Sequence, residues 1–193
     1  MSFDKARVLT AQDLRAMSHP LRVRLIALLE TEGPLTATEA AARLETTPAN
    51  CSFHLRLLAR HGFVEEAAGG VGRQRPWQVV EEITQIKSDT LDEESMPALR
   101  ALDEIEMQTF RDAVASYLRT RDQYPPEWRE AVGRSWATVH LTAAETAELK
   151  QKLHAVFEPY MELGRPSRRR PGTVPVMAQQ ALIPLRMPEA TDV

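Results

Sequence analysis

Leu21, Leu25, Leu28 and Leu29 recur at threes and fours through LRVRLIALLETEG, the spacing that lines one face of a helix, and Gly33-Pro34 ends the run. A shorter helix is expected before it, from Thr10 to Met17. Ser18-His19-Pro20 then predicts a restart, with serine as the cap and proline in the first turn. Thr36-Ala37-Thr38-Glu39 fits a capping box that opens a third helix over Ala37 to Leu44. After a brief turn at Glu45 and Thr46, Thr47-Pro48 repeats the cap-then-proline signal and starts a fourth helix, PANCSFHLRLLARHG, closed by Gly62. Two helices joined by so short a turn make a helix-turn-helix.

In the fourth helix Cys51, Leu55 and Leu58 fall on one face and are expected inside. Pro48 and the outward residues Ala49, Asn50, Ser52, Phe53 and Arg56 are left near its start. These are side chains suited to a major groove: asparagine matches adenine, serine meets bases or phosphate, and arginine pairs with guanine or phosphate. FVEEA, GGVG and RQRPWQVV then read as two strands around a glycine-rich turn, a wing whose basic tip is Arg73, Gln74 and Arg75. Guanidinium groups at that tip are placed for a duplex backbone or a minor groove. Pro76 cannot donate to a ladder, which predicts an edge for the returning strand, with Trp77 and Val79 sharing its core face.

Beyond Val80 the pattern changes. Leu99, Leu102, Ile105, Phe110, Val114, Tyr117 and Leu118 predict an amphipathic helix from about Glu93 to Arg121, read here as a dimerisation helix in preference to packing within one chain. Gln123-Tyr124-Pro125-Pro126 breaks it. SWATVHL is expected to form a strand, Thr142 to Glu145 a capping box, the stretch from Ala143 to about Met161 a helix, and TVPVMAQQALIPL a second strand held to an edge by Pro175 and Pro184. The expectation is an α+β, mostly α chain: a winged helix-turn-helix over 1–80, a linker and long helix over 81–122, and a small α+β extension over 123–193 with a disordered tail past Pro188. Tyr124, Trp128, Trp136, Phe157 and Tyr160 offer the lining of an apolar pocket for a small effector, against the commoner reading of aromatics as core. Arg168-Arg169-Arg170, between prolines, reads as a solvated loop in preference to a phosphate contact.

Charge matters only locally. The chain of 193 residues carries a net charge of −3, yet ten basic residues face eight acidic ones up to Val80. Any attraction to phosphate must therefore come from one face of the front domain. The single cysteine, Cys51, cannot close an internal disulfide and reads as a small core residue, ahead of the redox role a helix start would favour. His54 is expected to pack or hydrogen-bond at the edge of its helix, and His19, His61, His140 and His154 lack a carboxylate or serine at a motif spacing. No phosphate loop, nucleophile elbow or metal-ligand constellation appears, so neither an enzyme nor a cofactor is expected. MSFDKARVLTAQDL lacks a secretory pattern and no run of eighteen apolar residues occurs, which predicts a cytoplasmic chain without a membrane span.

His19-Pro20-Leu21-Arg22, then Pro48 to Arg56 with its Ser52-Phe53-His54-Leu55 centre, Leu58, and His61-Gly62-Phe63-Val64 resemble the ArsR/SmtB-type winged-helix repressors over about Leu14 to Val80. The resemblance implies a homodimer that binds double-stranded DNA at a roughly palindromic operator and releases it when an effector binds. Metal-sensing members carry a cysteine pair in the helix before recognition, or acid and histidine ligands on the last helix. Here Thr38 to Leu44 holds no thiol and the helix after the wing no histidine, so a non-metal-sensing member is implied. The competing reading is a winged helix used as a protein–protein interaction module without DNA binding.

Overall fold

The computed structural model describes residues 7–69, 75–81, 84–86, 91–165, 168 and 170–186. Its front part follows the helical spacing closely. Helix α1 (Ala11–Met17) starts at Thr10, whose hydroxyl accepts the Asp13 N–H while the Asp13 carboxylate reaches back to the Thr10 N–H. Helix α2 (Pro20–Glu32) is capped by His19 and not by Ser18: the His19 Nδ1 accepts the Leu21 N–H at 3.1 Å. The residue before a proline is forced to extended backbone, and extended backbone is also what a cap position requires, so the cap falls directly ahead of Pro20. The Ser18 hydroxyl lies instead 2.6 Å from the Leu14 carbonyl and 2.7 Å from that of Ala98.

Helix α3 (Ala37–Arg43) begins with the expected Thr36–Glu39 box, and Glu45, at φ 53°, turns the chain into helix α4 (Pro48–Arg60), capped by Thr47. Strands β2 (Val64–Glu66) and β3 (Trp77–Val79) pair antiparallel, Val64 opposite Val79 and Glu66 opposite Trp77. Trp77 also bridges Leu35, exchanging backbone bonds of 2.8 and 3.0 Å. The returning strand is therefore flanked on both sides at Trp77, contrary to the edge expected from Pro76. Proline is tolerated because it lies just outside the strand, where its carbonyl accepts from Ala67 and no donor is needed. An unforeseen strand β1 (Arg7–Val8) runs parallel to β4 (Thr84–Gln85).

Two apolar clusters hold this part together. Leu25, Leu29, Cys51, Leu55 and Leu58 are sealed between α2, α3 and α4, with Val64, Val79 and Trp77 closing the side under the wing. Leu9, Leu14, Leu99 and Leu102 form the second, joining α1 to helix α5 (Met96–Thr120), and Met17 and Phe63 touch both clusters. Full burial of one such leucine contributes about 1.5–3 kcal/mol, so the orientation of α4 is fixed by its inner face.

Helix α5 follows a short 3-10 turn at Glu93–Ser95 and spans the predicted range, but only its Leu99 and Leu102 are buried. From Ile105 onward the apolar stripe is half-exposed or exposed. Helix α6 (Pro126–Ala131) follows, and this compact unit closes at Ser135.

A second compact unit begins at Trp136 and contains helix α7 (Ala143–Gly164), entered through the expected Thr142–Glu145 box. SWATVHL and TVPVMAQQALIPL, expected as strands, form no ladder among the described residues. A strand-like run supplies no partner of its own, and Pro175 and Pro184 each remove a donor. Of the aromatic residues in this unit, Trp136 is 84% and Tyr160 71% exposed. The tail past Pro188 lies outside the described residues, as does Arg169, while the described Arg168 pairs with Glu162 at 3.6 Å. Among the described residues no helix is long and apolar enough to cross a membrane.

Candidate nucleic-acid interface

With Cys51, Leu55 and Leu58 inward, α4 turns Pro48, Ala49, Asn50, Phe53 and Arg56 to solvent, with Ser52 half-buried between them. The Arg56 guanidinium donates to the Ser52 hydroxyl at 2.7 Å, one turn back, and the Asn50 amide donates to the Thr46 hydroxyl at 3.1 Å. Both contacts hold flexible side chains along the helix, which lowers the entropy lost when they meet a ligand. Phe53 is 58% exposed on the same face.

Pro48, Ser52 and Arg56 form one wall of a groove of about 450 Å³, whose other walls are Thr36, Ala37 and Thr38 at the start of α3 and Glu66, Arg75 and Trp77 at the wing. The groove brings together Arg56 and Arg75, which the sequence separates by a helix end and a strand. Arg75 ion-pairs with Glu66 at 3.2 Å, both exposed. Sequence reasoning missed Glu66, which puts an acid inside a basic groove, and the contribution of α3. The only signal for Glu66 was its place in FVEEA opposite RQRPW, where a two-residue alternation sets the side. Arg73 and Gln74, the rest of the proposed tip, lie outside the described residues. A second concavity, of about 430 Å³, lies between α2, α5 and the strands, lined mainly by apolar residues such as Val23, Ile26, Phe63 and Leu102 together with Glu30 and Glu106.

Beneath the exposed face lies a buried polar layer. The His54 ring stacks obliquely on that of His19, centroids 4.5 Å apart, and meets Phe53 edge-on at 5.1 Å. Its Nδ1 is buried without a hydrogen-bond partner, as is the Nε of the buried Arg22. Burial lowers the His54 pKa first, and the nearby His19 and Arg22 lower it further; His19 is lowered by burial and by Arg22. Burial and these neighbours thus disfavour the charged form of both imidazoles. Cys51 is sealed in the core, where burial raises its thiol pKa, the opposite of what a reactive cysteine needs.

The far end of α4 is fastened by a cluster no local motif announced. His61 Nδ1 is 3.2 Å from Asp13 Oδ1, so a carboxylate does stand beside it, delivered from 48 residues away. Arg7 reaches the same Asp13 oxygen at 2.8 Å, donates to the His61 carbonyl at 2.9 Å and lies over the Phe63 ring. Burial pushes the Asp13 carboxyl up, but bonds from the Thr10 backbone and hydroxyl, His61 and Arg7 outweigh it and leave the pKa below the ordinary value. Among the described residues, no three His, Cys, Asp or Glu side chains converge as a bound cation requires.

Residues 17–67 match a helix-turn-helix domain family, HTH_20. This segment is a helix-turn-helix domain. Comparison of the chain with curated proteins finds no match. Similar solved structures include the E41A mutant of Lactococcus lactis ZitR, 14% identical, covering 72% of this chain and 73% of that one with a TM-score of 0.33. Wild-type Lactococcus lactis ZitR in complex with DNA is 16% identical over 76% of this chain and 74% of that one, with a TM-score of 0.28. In the helix-turn-helix domain, α3 and α4 are the paired helices and α4 is the one with the exposed polar start.

Proposed function

We propose that the chain is a DNA-binding transcriptional regulator that reads a major groove with the start of α4. The observation that carries this is the groove shared by α4 and the wing, in which Ser52, Arg56 and Arg75 converge while the leucines of the same helix are sealed beneath. Pro48, Ala49, Asn50, Ser52, Phe53 and Arg56 face bases and adjacent phosphates, and Arg73, Gln74 and Arg75 clamp the backbone. The chain acts as a homodimer on a roughly palindromic operator, with the exposed apolar stripe of α5 beyond Ile105 as the pairing face. Occupying a promoter in this way would block transcription, the role implied by the resemblance to ArsR/SmtB-type repressors, with activation as the alternative.

Selection of bound fragments from genomic DNA, followed by fluorescence anisotropy on the recovered site, tests the reading. Arg56→Ala is expected to weaken binding by about 1–3 kcal/mol if its guanidinium makes a bidentate base contact. Purified protein that recovers no fragment at low ionic strength, or an Arg56→Ala variant with unchanged affinity at matched salt, overturns it.

A further inference from the structure

The concavity of about 430 Å³ between α2, α5 and the strands has the size of a small-molecule site, and it shares no lining residue with the groove at α4 and the wing. Its innermost lining is apolar: Leu9, Val79 and Leu102 are buried, and Phe63 joins them from the turn that follows α4. Its charged lining is acidic, Glu30 from α2 and Glu106 from α5, both exposed, which puts carboxylates where the cavity opens to solvent. None of the described residues that line it is basic. Arg7, which lies over the Phe63 ring, has its charge matched by Asp13 at 2.8 Å.

The electrostatics at Glu106 point to the sign of an occupant. Although solvent reaches this side chain, the protein packed around it raises its carboxyl pKa, and Asp103, one turn earlier on α5, raises it further. Positive charge seated beside Glu106 would relieve both effects. An anion would be repelled, and a neutral hydrocarbon would cover the carboxylates without offering them a partner. A metal ion would gain nothing from walls of leucine, valine and phenylalanine, which hold no oxygen donor. An organic cation suits both parts of the cavity, because its hydrocarbon body meets the apolar lining while its charge stays at the acidic mouth.

We propose that this cavity binds a small hydrophobic organic cation, an aryl or branched-alkyl ammonium, with its apolar body against Phe63, Val79 and Leu102 and its charge beside Glu106. The site stands apart from the reading of DNA, since the affinity of the cation is measured on the protein alone.

The test is calorimetric titration of the full chain with three benzyl compounds that differ in charge: benzyltrimethylammonium, phenylacetamide and phenylacetate. The cation is expected to bind at least about tenfold more tightly than the neutral amide, and the anion more weakly than either. Glu106→Gln, at an exposed position, should remove that preference and leave the affinity for phenylacetamide unchanged. Ala27→Leu, which fills part of the cavity from α2 with Glu106 intact, should weaken the cation and the amide together. Equal affinity for cation and amide overturns the proposal, as does a cation affinity unchanged by Glu106→Gln or by Ala27→Leu. Failure of the cation to bind at millimolar concentration overturns it too, and leaves the cavity to be covered by α5 of a second copy.

Discussion

Replacing Glu66 by glutamine is expected to tighten DNA binding, the reverse of what most changes at an interface do. Glu66 holds Arg75 at 3.2 Å in the groove that also contains Arg56, and its carboxylate faces the same space a phosphate would enter. Two unit charges about 7 Å apart in water repel by about 0.6 kcal/mol, and Glu66→Gln removes that term while releasing Arg75 for a backbone contact. The sum is about 0.5–1.5 kcal/mol, a two- to tenfold lower Kd. An exposed pair contributes only about 0–1 kcal/mol to folding, so the melting temperature should fall by no more than about 4 °C. Fluorescence anisotropy between about 50 and 200 mM salt separates the two effects, because one added phosphate contact steepens the slope of log K against log salt by about 0.9. Equal affinity and equal slope for the two proteins would mean that Arg75 stays clear of the backbone, and the groove would lose its role.

Three further outcomes bear on what holds the reading helix. Leu55→Ala, at a fully buried position under α4, should cost about 2–5 kcal/mol in urea unfolding, and an m-value unchanged from the parent would show that the loss is one of packing. Since burial and Arg22 hold the His54 pKa below the ordinary imidazole value of 6.5, unfolded chains bind protons that the native state refuses; stability is complete above that value and declines as pH falls below it, and His54→Leu should flatten the decline. Asp13→Asn leaves Arg7 and His61 without their shared carboxylate and should destabilise by about 1–3 kcal/mol, with the difference shrinking in acid as the parent's own carboxyl is protonated.

Much of the front domain was legible because its signals are local. Thr47-Pro48 marks a helix start whatever follows, and Cys51, Leu55 and Leu58 can share only one face, so the outward set at Asn50, Phe53 and Arg56 follows from helical geometry. The cap at His19 was misplaced since a propensity for serine was weighed above the backbone demand of Pro20. Contacts between distant positions carry no such signature. Nothing in the order of residues places Asp13 beside His61, Leu35 beside Trp77 or the Ser18 hydroxyl beside the Ala98 carbonyl. The rear segments failed for a different reason: the two stretches expected as strands form no ladder among the described residues, since a strand-like run supplies no pairing backbone of its own and Pro175 and Pro184 each remove a donor.

Arg7 ties the opening residues of the chain to the exit of α4, and its guanidinium passes so close to Gly62 that an added Cβ there would stand 3.1 Å from it. Loss of Arg7 is therefore expected to loosen the exit of α4. Displacing that one arginine would unlatch one end of the helix whose other end is proposed to meet DNA, and DNA affinity is expected to weaken with every groove-facing side chain intact.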